Sequence, residues 1–166
     1  MNYILFDGDV RNALLPFTYT RPVADIRICS SNLKGIRIPE SLVPLAIDEF
    51  PVLFVAAACA EGQTVITGAE ELRVKESDRI QVMADGLQAI GVDAMPTADG
   101  MIINGGPILG GKVHSRDDHR IAMAFTMAGL RAESDVVIED CENVNTSFPD
   151  FIGLANRAVI SISIAN

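Results

Sequence analysis

The sequence predicts an α/β fold of two stacked units in which helices join parallel strands. Three observations predict it. Hydrophobic residues make up 49% of the 166 positions, aromatics only 5%, and there is no Trp. The apolar content is therefore mostly Ala, Val, Ile and Leu, as where helices pack on a buried parallel sheet. Helical apolar stripes alternate with short β-branched runs. The chain also repeats itself, since one shift carries Ala60-Glu61, Val65 and Ile66 onto Ala132-Glu133, Val137 and Ile138. Each copy reads as helix, strand, helix, strand, hairpin.

The elements follow in order. Ile4-Leu5-Phe6 is a short strand stopped by the turn sequence Asp7-Gly8-Asp9. Residues 23–29 alternate apolar and polar positions and suit a half-buried strand, while Pro16 and Pro22 exclude a continuous helix there. Asp48-Glu49 precede Phe50-Pro51 and an Ala/Val-rich run that ends at Glu61-Gly62. Acidic residues and Pro belong in a first helical turn and Gly just past the end, so this is a core helix. Residues 64–67 read as a buried strand. Residues 77–90 place Ile80, Met83, Ala84, Leu87 and Ile90 on one helical face, with Gly91 as the stop. Residues 92–95 and 101–104 form strands around Ala98-Asp99-Gly100. A glycine-rich loop leads to residues 112–114, and His114 is read as a solvated residue of a polar loop. Residues 118–130 form a helix with Ile121, Ala124, Phe125 and Ala128 on one face. Residues 135–139 are a strand, and 149–157 a last short helix.

Charge excludes several functions. Thirteen Lys+Arg against 22 Asp+Glu give a net charge of −9. That argues against a nucleic-acid or anionic-membrane surface, though not against a local basic site for an anionic metabolite. Cys29, Cys59 and Cys141 are odd in number, widely spaced and not paired with His114 or His119 at metal-binding spacing, so no metal site is expected. They read as reduced, buried thiols of a cytoplasmic protein. The longest apolar stretch, 50–60, is about half a membrane span. The first residues lack a basic region and a cleavage site, so no signal peptide is read.

The chemistry gathers at helix starts. Asp48-Glu49, Lys75-Glu76-Ser77-Asp78-Arg79, Asp118-His119-Arg120 and Asn145-Thr146-Ser147 all lie at or just before one. Strand-to-helix loops of a parallel sheet share one edge, and helix N-termini attract anions. Capping alone accounts for Asp48, Ser77 and Asp118. It does not account for Lys75, Arg79 and Arg120, which oppose the helix dipole unless anions or neighbouring carboxylates compensate them. Asp48 and Glu76 are then candidates for paired proton-transfer carboxylates.

Four segments carry a resemblance. Leu45-Ala46-Ile47-Asp48-Glu49-Phe50-Pro51, Glu71-Leu72-Arg73-Val74-Lys75-Glu76-Ser77-Asp78-Arg79, Asp118-His119-Arg120-Ile121-Ala122-Met123-Ala124 and Thr146-Ser147-Phe148-Pro149-Asp150-Phe151 are similar, in order and spacing, to the C-terminal domain of the EPSP synthase family. The resemblance runs over residues 23–157. It implies an incomplete part of an inside-out α/β barrel domain, here two βαβαββ-type units, with the active site in a cleft between two domains. It implies transfer of an enolpyruvyl group from phosphoenolpyruvate to the 5-hydroxyl of shikimate 3-phosphate, without a cofactor. It places proton transfer on Asp48 and Glu76, phosphoenolpyruvate on Arg79 and Arg120 with His119 beside it, and shikimate 3-phosphate on Glu71 and Lys75. Thr146 stands where some members carry a basic phosphoenolpyruvate ligand.

The resemblance leaves the first domain and part of the second unaccounted for, so the chain is expected to be inactive alone. Residues 1–22 do not look like this family. Residues 1–27 resemble the start of a sugar-phosphate nucleotidyltransferase group, so the chain is expected to be a chimera, with its junction at Pro22-Val23-Ala24-Asp25-Ile26-Arg27, or a truncated fragment. Residues 158–166 are strand-like and unassigned. The mean hydropathy of +0.28 and the surface left by missing neighbours predict a homo-oligomer.

Overall fold

Two amphipathic helices supply much of the core, and their stripes show why. Helix α2 (Arg79–Ala89) turns Ile80, Met83, Ala84 and Leu87 inward, and helix α3 (His119–Gly129) does the same with Ile121, Ala124, Phe125 and Ala128. All eight are buried. The computed structural model describes residues 31–157 and 161–164. The strands read at 4–6 and 23–29, the segment 1–22, the junction at 22–27 and Cys29 lie outside the described residues.

Helix α1 (Phe50–Ala58) is the expected core helix, with Pro51 in its first turn. Phe50 and Phe54 stack at a tilt of 56° with ring centroids 5.7 Å apart, and the helix packs on α3. A 3₁₀-helical turn, Pro44–Glu49, leads into it, so Asp48 lies in that turn and does not cap α1.

Strands β1 (Gln63–Ile66), β2 (Asp93–Pro96) and β3 (Met101–Asn104) form one sheet in the order β1-β3-β2, each pair antiparallel. β1 and β2 thus run the same way, as strands joined by a helix should. They do not pair directly, because β3 folds back at Ala98-Asp99-Gly100 and inserts between them. Thr97 N–H closes that turn onto the Gly100 carbonyl at 2.9 Å.

A further extended stretch, residues 33–38, runs parallel to the start of β1 through bridges Lys34–Glu61 and Arg37–Val65. The sequence reading has no strand there. Gly35 is the reason on both counts. A Cβ at Gly35 would lie 2.3 Å from the Gln63 carbonyl oxygen, so glycine permits the approach and also breaks the strand signal. With this stretch the first unit is a complete β-α-β-α-β-β.

The second unit begins alike. Strands β4 (Gly111–His114) and β5 (Val136–Glu139) pair in parallel, with α3 as the crossover. His114 therefore ends a strand, contrary to the polar-loop reading. It remains about half exposed, with Nδ1 2.9 Å from Glu139. After β5 the expected strand and hairpin do not follow among the described residues. Two short helices do, α4 (Val144–Ser147) and α5 (Phe151–Arg157), and residues 161–164 carry no strand.

Two smaller expectations change. Cys59 is half-buried against the core, but Cys141 is exposed, so the buried-thiol reading holds only in part for the first and fails for the second. Burial pushes the Cys59 thiol pKa up. Among the described residues, no helix is long and apolar enough to cross a membrane.

Candidate functional site

Three helix starts meet at Arg79. The expected cap of α2 was Ser77, but Asp78 takes that place and accepts the Gln81 N–H at 3.0 Å. Ser77 is thereby free to donate to Asp118 Oδ2 at 3.0 Å. Asp118 caps α3, accepting from the backbone N–H groups of Arg120 and Ile121. Arg79, first residue of α2, is only 1% exposed although it is a full cation.

That burial is compensated on every side. Arg79 Nε donates to Asp118 Oδ2 at 2.8 Å and Nη2 to Asp118 Oδ1 at 3.4 Å. Nη1 donates to Asp48 Oδ1 at 3.2 Å, and Nη2 also donates to Glu76. Arg120 reaches back from α3 to the Asp48 carbonyl at 3.0 Å and to Glu49 Oε1 at 3.1 Å. Lys75 Nζ lies 2.6 Å from Glu71 and 3.4 Å from Asp48. Carboxylates therefore offset all three of these cations.

Charge sets the protonation states. Burial acts to raise the Asp48 pKa, but the hydrogen bond and charge of Lys75, with Arg120 and Arg79 behind, outweigh it and hold the carboxyl below its usual range. The same balance at Asp118 is won by Arg79, helped by Ser77 and the Arg120 amide. Lys75 is held above its ordinary value, first by its hydrogen bond to Glu71 and then by Asp48.

The carboxylates are not equivalent. Asp118 is wholly buried, whereas the Asp48 and Glu76 side chains are 46% and 52% exposed. Arg79 thus has two half-exposed carboxylate partners and one that is wholly buried. His119 opens α3 half-buried beside Arg120. Of the seven residues singled out, six lie in one hydrogen-bonded network, and His119 adjoins it. Thr146 lies on α4, exposed and away from these contacts. The sequence reading did not single out Glu49 as the partner of Arg120, nor Asp118 as the partner of Arg79. An acidic cap set directly before a basic pair was the available signal for the latter.

A cleft of about 580 Å³ lies beside this network, with Val43, Pro44, Ile47 and Val74 in its lining, and shares only Glu71 with it. Among the described residues, no group of three or more His, Cys, Asp and Glu is placed to hold a metal ion.

Comparison with known proteins bears on the same residues. A 3-phosphoshikimate 1-carboxyvinyltransferase of Hydrogenovibrio crunogenus is 67% identical over 144 residues, which are 86% of this chain and 32% of that protein. One from Nitrosococcus oceani is 67% identical over 141 residues, 85% of this chain and again 32% of the relative. The solved structure of EPSP synthase from Acinetobacter baumannii superposes with a TM-score of 0.84 at 60% identity, covering 87% of this chain and 35% of that one. The fold is thus the inside-out α/β fold in part, and the chain spans about a third of the length of these relatives. Residues 18–154 match the family model described as EPSP synthase (3-phosphoshikimate 1-carboxyvinyltransferase). The match starts ahead of the boundary read at 22–23, and the comparisons lend no support to a chimera. With most of its length inside that match, the chain belongs to the EPSP synthase family.

Proposed function

We propose that this chain forms one wall of a site that moves the enolpyruvyl group of phosphoenolpyruvate onto the 5-hydroxyl of shikimate 3-phosphate, releasing phosphate. The observation that carries the reading is the meeting of Arg79, Arg120 and Asp48 at three helix starts inside the family match. The reaction needs cations for a phosphate and a carboxylate, and groups that take and return protons as the hydroxyl oxygen bonds the enolpyruvyl carbon. Arg79 and Arg120 hold phosphoenolpyruvate, with His119 beside it. Glu71 and Lys75 meet shikimate 3-phosphate. Asp48 and Glu76 move the protons. Asp48 suits the accepting role because its neighbours keep it ionised at neutral pH.

The carboxylates now on Arg79 set the strength of binding. Phosphoenolpyruvate must displace Asp48 and Glu76, and the contacts of a facing wall are not among the described residues. The affinity expected is about 1 mM, or roughly 4 kcal/mol. At 0.15 M salt the Debye length is about 8 Å, so these local charges outweigh the net charge of −9. An NMR titration with phosphoenolpyruvate tests the reading. It should shift the amides of residues 75–79 and 118–121, and Arg120→Ala and high salt should both weaken binding. No shift up to about 10 mM, ten times the expected constant, would sink it.

A further inference from the structure

We infer that Asp118 is a positioning residue that holds Arg79 and the start of the helix carrying Arg120 as one rigid unit. The inference rests on the reading of these two arginines as the phosphoenolpyruvate site and deepens it. Asp118 touches no substrate in this scheme and acts through the two arginines.

The geometry is specific. Asp118 is 0% exposed and receives five donors. Oδ1 takes the backbone N–H of Arg120 at 3.0 Å and of Ile121 at 3.4 Å, together with Arg79 Nη2 at 3.4 Å. Oδ2 takes Arg79 Nε at 2.8 Å and the Ser77 hydroxyl at 3.0 Å. A cap needs one oxygen. The second oxygen does nothing for α3; it fixes the guanidinium of α2 and the loop before it. The two sides of Arg79 are thereby distinguished. Nε is tied to the buried carboxylate, Nη2 is shared between it and the half-exposed Glu76, and Nη1 faces the half-exposed Asp48, the side left for an anion.

The loop that delivers Asp118 is built for this. Arg116 and Asp117 stand side by side at φ 55° and 57°, a left-handed conformation that non-glycine residues adopt at a cost. Their neighbours hold them there. Asp118 N–H donates to the Ser115 carbonyl at 3.0 Å, and Asn143 Nδ2 donates to the Asp117 carbonyl at 2.7 Å. Wholly buried Ser115 donates its hydroxyl to the Glu139 carbonyl at 3.0 Å. This bend turns the carboxylate inward, toward α2. A carboxylate in that place serves both oxygens at once, which an amide cannot do. In Asp118→Asn, whichever way the amide faces, its N–H₂ confronts either the Arg79 donors or the α3 backbone donors.

The experiment uses the full 166-residue chain and three NMR readouts: the Arg79 Nε–Hε resonance, hydrogen exchange at the Arg120 amide, and the phosphoenolpyruvate titration. In folded Asp118→Asn, the Arg79 resonance or the Arg120 exchange rate should change, and phosphoenolpyruvate should bind about tenfold more weakly, the loss of one charge-assisted hydrogen bond. A lower melting temperature with an unchanged affinity would make Asp118 a structural cap and overturn the inference. If Asp118→Asn does not fold, Ser77→Ala decides. It frees one Oδ2 contact without removing the charge and should move the Arg79 resonance and weaken binding about twofold to threefold; no change in either overturns the inference. Absence of phosphoenolpyruvate binding to the unsubstituted chain overturns the site reading alone. The Arg79 and Arg120 signals need no ligand, and their invariance in folded Asp118→Asn would still refute the positioning role.

Discussion

Asp48 Oδ1 lies 3.2 Å from Arg79 Nη1, and the two differ sharply in exposure: the aspartate is about half exposed and the arginine buried. The carboxylate therefore occupies the side of the guanidinium from which an anion would arrive. Removing it should help an anion bind, although it removes a group assigned to proton transfer. A half-exposed pair is worth about 1 kcal/mol at most, so Asp48→Ala should tighten phosphoenolpyruvate binding about fivefold. Calorimetric or NMR titration of both proteins measures this. Weaker binding in the variant would mean that Asp48 supports the anion and does not stand in for it.

Acid should destabilise the chain through Asp118. Its folded-state pKa lies below the ordinary value of 3.8, because Arg79 outweighs the opposing effect of burial. Between the two values the unfolded chain binds more protons than the folded one, so stability falls as pH falls. The contribution is fully present above the unfolded value and is lost as pH drops through the folded value. Urea midpoints measured from pH 7 to pH 3 should decline in the acid range, and folded Asp118→Asn should show a shallower decline. Parallel profiles for the two proteins would remove Asp118 as the cause.

What the sequence shows and hides follows from the range of each interaction. The stripes of α2 and α3 report local periodicity, and each stripe residue within those helices is buried. The β2–β3 hairpin is signalled by the turn at Asp99-Gly100 and forms there. The stretch 33–38 is silent because Gly35, which its neighbour requires, removes the alternation. The 3₁₀ turn Glu70–Val74 is too short to show a period, though it places Glu71 four residues before Lys75. The site is legible as charges at helix starts, but not as pairs. Arg79 with Asp118, and Arg120 with Asp48, join residues far apart in the chain, and no local pattern encodes which carboxylate meets which cation.

Packing between α2 and α3 rests on Gly86. A Cβ there would fall 2.2 Å from Phe125 Cζ, and Phe125 is fully buried. Helix propensity alone favours Ala over Gly by about 1 kcal/mol. Overpacking a filled core costs roughly 1–3 kcal/mol. Gly86→Ala should therefore lose up to about 2 kcal/mol net. Because the two helix starts carry Arg79 and Arg120, phosphoenolpyruvate binding should weaken with it. Chemical denaturation gives the first quantity, and a stabilised variant would show that Phe125 yields without cost.

The exposed apolar surface predicts self-association. Leu45 and Val74 are 82% and 80% exposed, and Ile36 and Leu42 are more than half exposed. Apolar groups on that scale associate when nothing else covers them. The chain should run as a homo-oligomer in light scattering at micromolar concentration. A stable monomer across that range, with Leu45→Ser unchanged in behaviour, would count against it.

The chain assayed alone should not turn over phosphoenolpyruvate and shikimate 3-phosphate. Arg79, Arg120, Asp48 and Glu76 supply charge and proton acceptors from one side, and the Asp48 and Glu76 side chains are open to solvent. Transfer between two substrates needs both held in register with water kept out. Orientation alone accounts for about 7–11 kcal/mol of barrier lowering in well-ordered sites. Half-exposed carboxylates acting on weakly held substrates recover little of that, since general acid–base groups contribute about 10²–10⁴-fold. The chain covers 32% of its Hydrogenovibrio crunogenus relative. A coupled assay for phosphate release should therefore read background. Release above background that Glu76→Gln abolishes would show that this wall orients both substrates unaided.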